Sequence, residues 1–121
     1  MENKIYDLKK RTYAYALDII KFLESLARDY ISREIGGQLL RSATSVGANI
    51  IEAQASSSRK DFANFYSHSL KSANESKFWL SLLKDSNKAP VDKTNLLLNE
   101  TSEIANIVAS SILTLKGKRN F

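Results

Sequence analysis

Residues 38–53 read QLLRSATSVGANIIEA, and this stretch decides the fold. Leu39, Ala43, Val46 and Ile50 recur at steps of three and four, the spacing of one helix face. Beside that row runs one with smaller side chains: Gly36, Leu40, Thr44, Gly47 and Ile51. A glycine inside a helix costs about 1 kcal/mol relative to alanine. A helix carrying Gly36, Gly37 and Gly47 must regain that through the close approach of a neighbour. The stretch therefore predicts a helix nested tightly among others.

Three more helices follow from the same spacing. Ala16, Ile19, Ile20, Leu23, Leu26, Ala27 and Tyr30 predict a first helix over about 7–28, with Tyr15 and Phe22 widening its apolar arc. Ser32 is the expected N-cap of the second, about 33–55. Ser58-Arg59-Lys60-Asp61 resembles a capping box and opens a third helix over about 59–84. The lone Pro90 sits in a turn-rich connection, after which Asp92 is expected to cap a fourth helix over about 93–115. Gly117 should end it, leaving a basic tail at 116–121. Short connections favour antiparallel neighbours. The expected fold is all-α: one domain over 1–121, an antiparallel up-down-up-down four-helix bundle.

Composition narrows the function classes. The 121 residues hold 43% apolar and 26% charged side chains, no Cys, one His and one Pro, with a formal charge of +5. No Cys excludes disulfides, thiolate metal sites and cysteine nucleophiles. No apolar run approaches the roughly 20 residues needed to cross a bilayer, so a cytoplasmic location is expected. The matches to N-x-[ST] at Asn74 and Asn99 lie within helical patterns and carry no weight without secretion.

Catalysis finds little support. His68 is the single His, and no Glu-x-x-His pair exists for a di-iron site. A zinc site would lack ligands. Asp85 to Leu96 begins like a calcium loop but lacks its Gly and its terminal Glu. Glu100 and Glu103, one turn apart, read as an exposed acidic pair. No enzyme, cofactor or small-molecule substrate is expected.

Interaction chemistry is the alternative. Gln38, Arg41, Ser45, Asn49 and Glu52 form a polar stripe on the second helix, and His68, Ser72 and Glu75 align on the third. Either the stripe is a solvated face, or Arg41 pairs with Glu52 or Glu75 at a helix or subunit seam. Lys9, Lys10 and Arg11 near one end, and Lys116, Lys118 and Arg119 near the other, fall at the same pole of an antiparallel bundle. Merged, they form a candidate contact for RNA or DNA, with Tyr6, Tyr13 and Tyr15 available for stacking.

A family resemblance rests on Gln38-Leu39, Arg41, Ala43, Ser45, Ala48-Asn49-Ile50 and Glu52-Ala53, then on Ser58-Arg59-Lys60-Asp61-Phe62, Phe65 and Lys71-Ser72-Ala73-Asn74-Glu75, ending at Trp79-Leu80 and Leu82-Leu83. The chain resembles bacterial four-helix-bundle proteins first noticed as products of intervening sequences in large-subunit ribosomal RNA genes. That broad family includes the accessory variability determinant of diversity-generating retroelements. Ala53 stands where many relatives have Gly and others Ala. The resemblance implies a bundle that associates into a ring of five subunits, with no known activity for most members. For the retroelement member it implies partnership with a reverse transcriptase and its RNA.

Overall fold

The structure, a computed structural model, describes residues 4–119. Four helices run in order: α1 (Lys4–Glu24), α2 (Tyr30–Gln54), α3 (Arg59–Asp85) and α4 (Val91–Arg119). Each packs on its two chain or ring neighbours, and no diagonal pair touches through the backbone. This is the four-helix bundle.

Helix ends show where local chemistry overrules apolar spacing. α1 stops at Glu24, four residues before the expected 28, because the chain turns there. The Ser25 N–H and hydroxyl both donate to the Phe22 carbonyl (3.1 and 2.6 Å), and the Leu26 N–H donates to Leu23 (3.2 Å). Leu26 still packs on the core, but from the turn. The expected cap Ser32 is corrected to Asp29. The Asp29 carboxylate accepts from the Ser32 N–H (2.9 Å) and its hydroxyl (3.0 Å). Those bonds, with a smaller contribution from Lys88 at 3.6 Å, hold the Asp29 carboxyl below its ordinary range.

Ser58 caps α3 by accepting from the Asp61 N–H at 3.0 Å. Asn87 ends the α3 turn at φ 61°, the left-handed region that asparagine tolerates better than most residues. Behind it the Lys88 and Ala89 N–H groups both reach the Leu83 carbonyl (2.9 and 3.1 Å). Asp92 is not a cap: it sits inside the first turn of α4, where its charge suits the positive helix pole. Thr94 instead secures that end, its N–H and hydroxyl both donating to the Pro90 carbonyl (3.1 and 2.6 Å). Gly117 does not stop α4, which continues to Arg119, so most of the expected tail is helix.

The core follows the predicted rows. Leu39, Ala43, Val46 and Ile50 are fully buried, packed with Tyr15 and Ile19 of α1, Tyr66, Ala73 and Leu80 of α3, and Ile104 and Val108 of α4. Small side chains bring α2 and α3 together. Ser42 and Ser76 bond hydroxyl to hydroxyl at 2.8 Å, and Ser69 donates to the Val46 carbonyl at 2.8 Å. These bonds fix an antiparallel register between the two helices.

Glycine does similar work between α1 and α2. A Cβ on Gly47 would lie 3.0 Å from Thr12 Oγ1, and one on Gly36 would lie 3.1 Å from Leu23 Cδ2. Gly37 differs, since its added Cβ would meet nothing within 4 Å. Two of the three glycines of α2 thus have a reason inside the chain.

Candidate interaction surfaces

The seam between α1 and α4 is the widest of the four, and polar groups bridge it. Arg11 donates from Nε and Nη2 to the two carboxylate oxygens of Glu100 (2.8 and 2.7 Å), and from Nη2 to Glu103 (2.9 Å). The hydrogen bonds to Glu100 dominate a rise in the Arg11 pKa, so the guanidinium keeps its charge throughout the working range. One turn further, the buried Tyr15 hydroxyl bonds Thr101 at 2.7 Å, and burial raises its pKa. Glu100 and Glu103 are therefore a clasp for Arg11, not the free acidic pair their spacing suggested. Arg11 is correspondingly committed within the chain and withdrawn from the basic cluster.

The polar stripe lies on the outer α2 face near α3. Arg41 is exposed and donates to Gln38 Oε1 at 3.0 Å. It pairs with neither Glu52 nor Glu75 within the chain: Glu75 accepts from Trp79 Nε1 at 3.0 Å, and Glu52 is exposed. Ser45 and Asn49 turn back on their own helix, Ser45 Oγ to the Arg41 carbonyl (2.8 Å) and Asn49 Nδ2 to the Ser45 carbonyl (2.9 Å). Such back-bonding explains how two weak helix formers sit mid-helix.

The basic residues share a pole but do not merge as expected. The Tyr15–Thr101 bond sets the α1–α4 register, which leaves Lys116 about 14 Å further along the axis than Lys9, at 1.5 Å per residue. Lys9, Lys10 and Lys116 are exposed, while the side chains of Lys118 and Arg119 lie outside the described residues. Sequence reading missed the nearer partners of Lys116. Leu115 shares a notch of about 510 Å³ with Ser56, Ser57, Ser58 and Arg59, so Arg59 and Lys60 stand at that pole. The signal was available: antiparallel connectivity puts the start of a third helix beside the end of a fourth.

Tyr30, Val91, Leu96 and Leu113 are exposed, and further uncovered apolar side chains gather in two places. Tyr13 (68% exposed), Leu17 and Ile20 form a row on α1, next to Leu40 and Ile51 (51%) on α2. Where these helices separate, Leu23, Leu26, Ala27, Gly36, Gly37 and Leu40 line a groove of about 360 Å³. The second place is the end of α3, where Phe78 (56%) and Leu82 project. Phe78 also packs edge-on to Trp79, ring centroids 5.0 Å apart. Among the described residues, no helix is long and apolar enough to cross a membrane, and no group of three or more His, Asp or Glu is placed to hold a metal ion.

The comparisons with known proteins agree with this architecture. A family model described as 23S rRNA-intervening sequence protein matches residues 4–110. Among solved structures, a protein of unknown function from the S23 ribosomal protein family of Bacteroides thetaiotaomicron is 33% identical, with a TM-score of 0.85. The match covers 91% of this chain and 98% of that one. No curated protein matches. The chain belongs to the 23S rRNA-intervening sequence protein family.

Proposed function

We propose that this protein is a non-enzymatic interaction module that works as a homo-oligomer, a ring of five copies by family resemblance. The exposed apolar row on α1 and α2 carries the reading. Tyr13, Leu17, Ile20, Leu40 and Ile51 each leave 38% or more of their surface uncovered in the single chain. Contiguous exposed apolar surface marks an interaction site, and the subunit interfaces of obligate oligomers are more apolar than other interfaces. The non-enzymatic part rests on residue types: one His and no Cys leave few groups for nucleophilic or metal chemistry. Light scattering across a concentration series tests the proposal. A particle of several chains is expected, and a monomer at high concentration refutes it.

A second reading, a nucleic-acid-binding accessory factor, is favoured by Arg59, Lys60 and Lys116 at one pole, with Lys9 and Lys10 exposed further down the axis on α1. Repetition of that pole around a ring would turn weak phosphate contacts into avidity. Binding would be backbone-led and steeply lost with salt. Retention of unrelated RNA or DNA at low salt, weakened by Arg59→Glu with Lys60→Glu, is the expected result. Failure to retain either polymer at low salt removes this reading.

A further inference from the structure

We propose that copies of this chain join head to tail, with Phe78 and Leu82 of one copy seated in the α1–α2 groove of the next. The inference rests on the self-association reading and specifies which faces meet.

Gly37 is the first observation. It occupies mid-helix at a cost of about 1 kcal/mol, yet nothing in its own chain lies within 4 Å of where its Cβ would be. Gly36 and Gly47 admit α1, whereas Gly37 is exposed and lines the groove. A bulky side chain there would fill the floor that an incoming aromatic ring needs.

Charge is the second. Arg28 and Arg33, both exposed, stand on the groove's rim, with Glu24 as the one acid among the lining residues. The projecting pair on α3 is flanked by exposed acids, Glu75 one turn before Phe78 and Asp85 one turn after Leu82. Lys71, one turn before Glu75, is the nearest exposed cation on that face of α3, and Arg41 of α2 is exposed at about the level of residue 76. Basic rim and acidic flanks are complementary, whereas groove against groove or knob against knob would bring like charges together.

Height is the third. The Ser42–Ser76 and Ser69–Val46 bonds place residues 37–40 of α2 level with about 77–80 of α3. Groove and knob therefore sit at the same level on different sides of the bundle. With neighbouring bundle axes parallel, a contact between unlike faces at equal height adds rotation without rise, which suits a closed ring over an open filament.

Two variants and their mixture test this by light scattering, with circular dichroism confirming helix content. Gly37→Arg blocks the groove, adds a Cβ that meets nothing within 4 Å and replaces glycine with a better helix former. Phe78→Asp removes the knob at a half-exposed site. Each variant alone is expected to lose the assembly and run as a monomer. Mixed, the knob of Gly37→Arg meets the groove of Phe78→Asp, and a 1:1 dimer forms. If the unaltered chain assembles and either variant keeps its full mass, the assignment of faces is overturned while self-association stands. Monomeric variants that give no mixed dimer also overturn it. An unaltered chain that is itself monomeric instead sinks the underlying reading.

Discussion

Gly47→Ala separates close helix packing from mere helix spacing. Replacing a helical glycine by alanine should stabilise by about 1 kcal/mol through propensity alone. At position 47 the new methyl would stand 3.0 Å from Thr12 Oγ1 and 3.1 Å from Thr12 Cβ. Thr12 has little freedom to yield, being 1% exposed with its hydroxyl donating to the Leu8 carbonyl at 2.6 Å. Relief must therefore come from shifting α1 itself, an overpacking cost of about 1–3 kcal/mol. The net expectation is a loss of about 1 kcal/mol, or about 4 °C in Tm for a domain of this size. Gly36→Ala provides the contrast: its methyl would meet only Leu23 Cδ2 at 3.1 Å, the mobile tip of a side chain, so the propensity gain should largely survive. Urea unfolding at one fixed chain concentration reads both. Thr12→Ala combined with Gly47→Ala should recover about 1 kcal/mol of the loss as coupling energy. If Gly47→Ala proves as stable as the unaltered chain, or shows no coupling to Thr12, α1 and α2 do not approach as described.

Other expectations follow from single side chains. Tyr66 is fully buried and its hydroxyl has no hydrogen-bond partner in good geometry, although the Gln54 side chain partly offsets the rise in pKa that burial causes. Tyr66→Phe should therefore leave urea stability unchanged or raise it by about 1 kcal/mol, and a clear loss would show that the hydroxyl is satisfied. Glu100→Gln should cost only about 1 kcal/mol, because the clasp is partly solvated, with side chains 33% and 30% exposed; the loss should shrink in high salt. Arg41→Ala should change single-chain stability by less than about 0.5 kcal/mol, since it bonds only Gln38 there; a larger loss confined to the assembled state would place Arg41 at a subunit seam. Asp29 has a depressed pKa, so its stabilisation is fully present above the unfolded carboxylate value and is lost as pH falls through the lower folded one. Asp29→Ala should flatten acid unfolding in that window, and an unchanged acid limb would refute its role as the cap.

The bundle was legible because apolar spacing reports burial directly: Leu39, Ala43, Val46 and Ile50 fall on one face and are all buried. Helix ends were less legible, because apolar spacing says where a face is and not where hydrogen bonds stop. Leu26 keeps the period of α1 yet packs from a turn, and Ser32 and Asp29 are both good capping residues. Only the backbone direction shows that Asp29 receives and Ser32 gives. Pairings between distant segments were the hardest. Arg11 reads as one of three adjacent cations, and nothing in its neighbourhood points to Glu100, eighty-nine residues away.

Glycine shows why the remaining function resists reading from residue types. Gly36, Gly37 and Gly47 carry the same intrinsic cost, and spacing alone assigns all three to close packing. In the folded chain the cost at Gly36 and Gly47 is offset within the subunit by contacts with Leu23 and Thr12. At Gly37 no such contact exists, so a single subunit gives no packing reason for it. The proposed head-to-tail contact supplies a reason outside the chain: a groove with two arginines on its rim suits a surface apolar at its tip and acidic at its flanks.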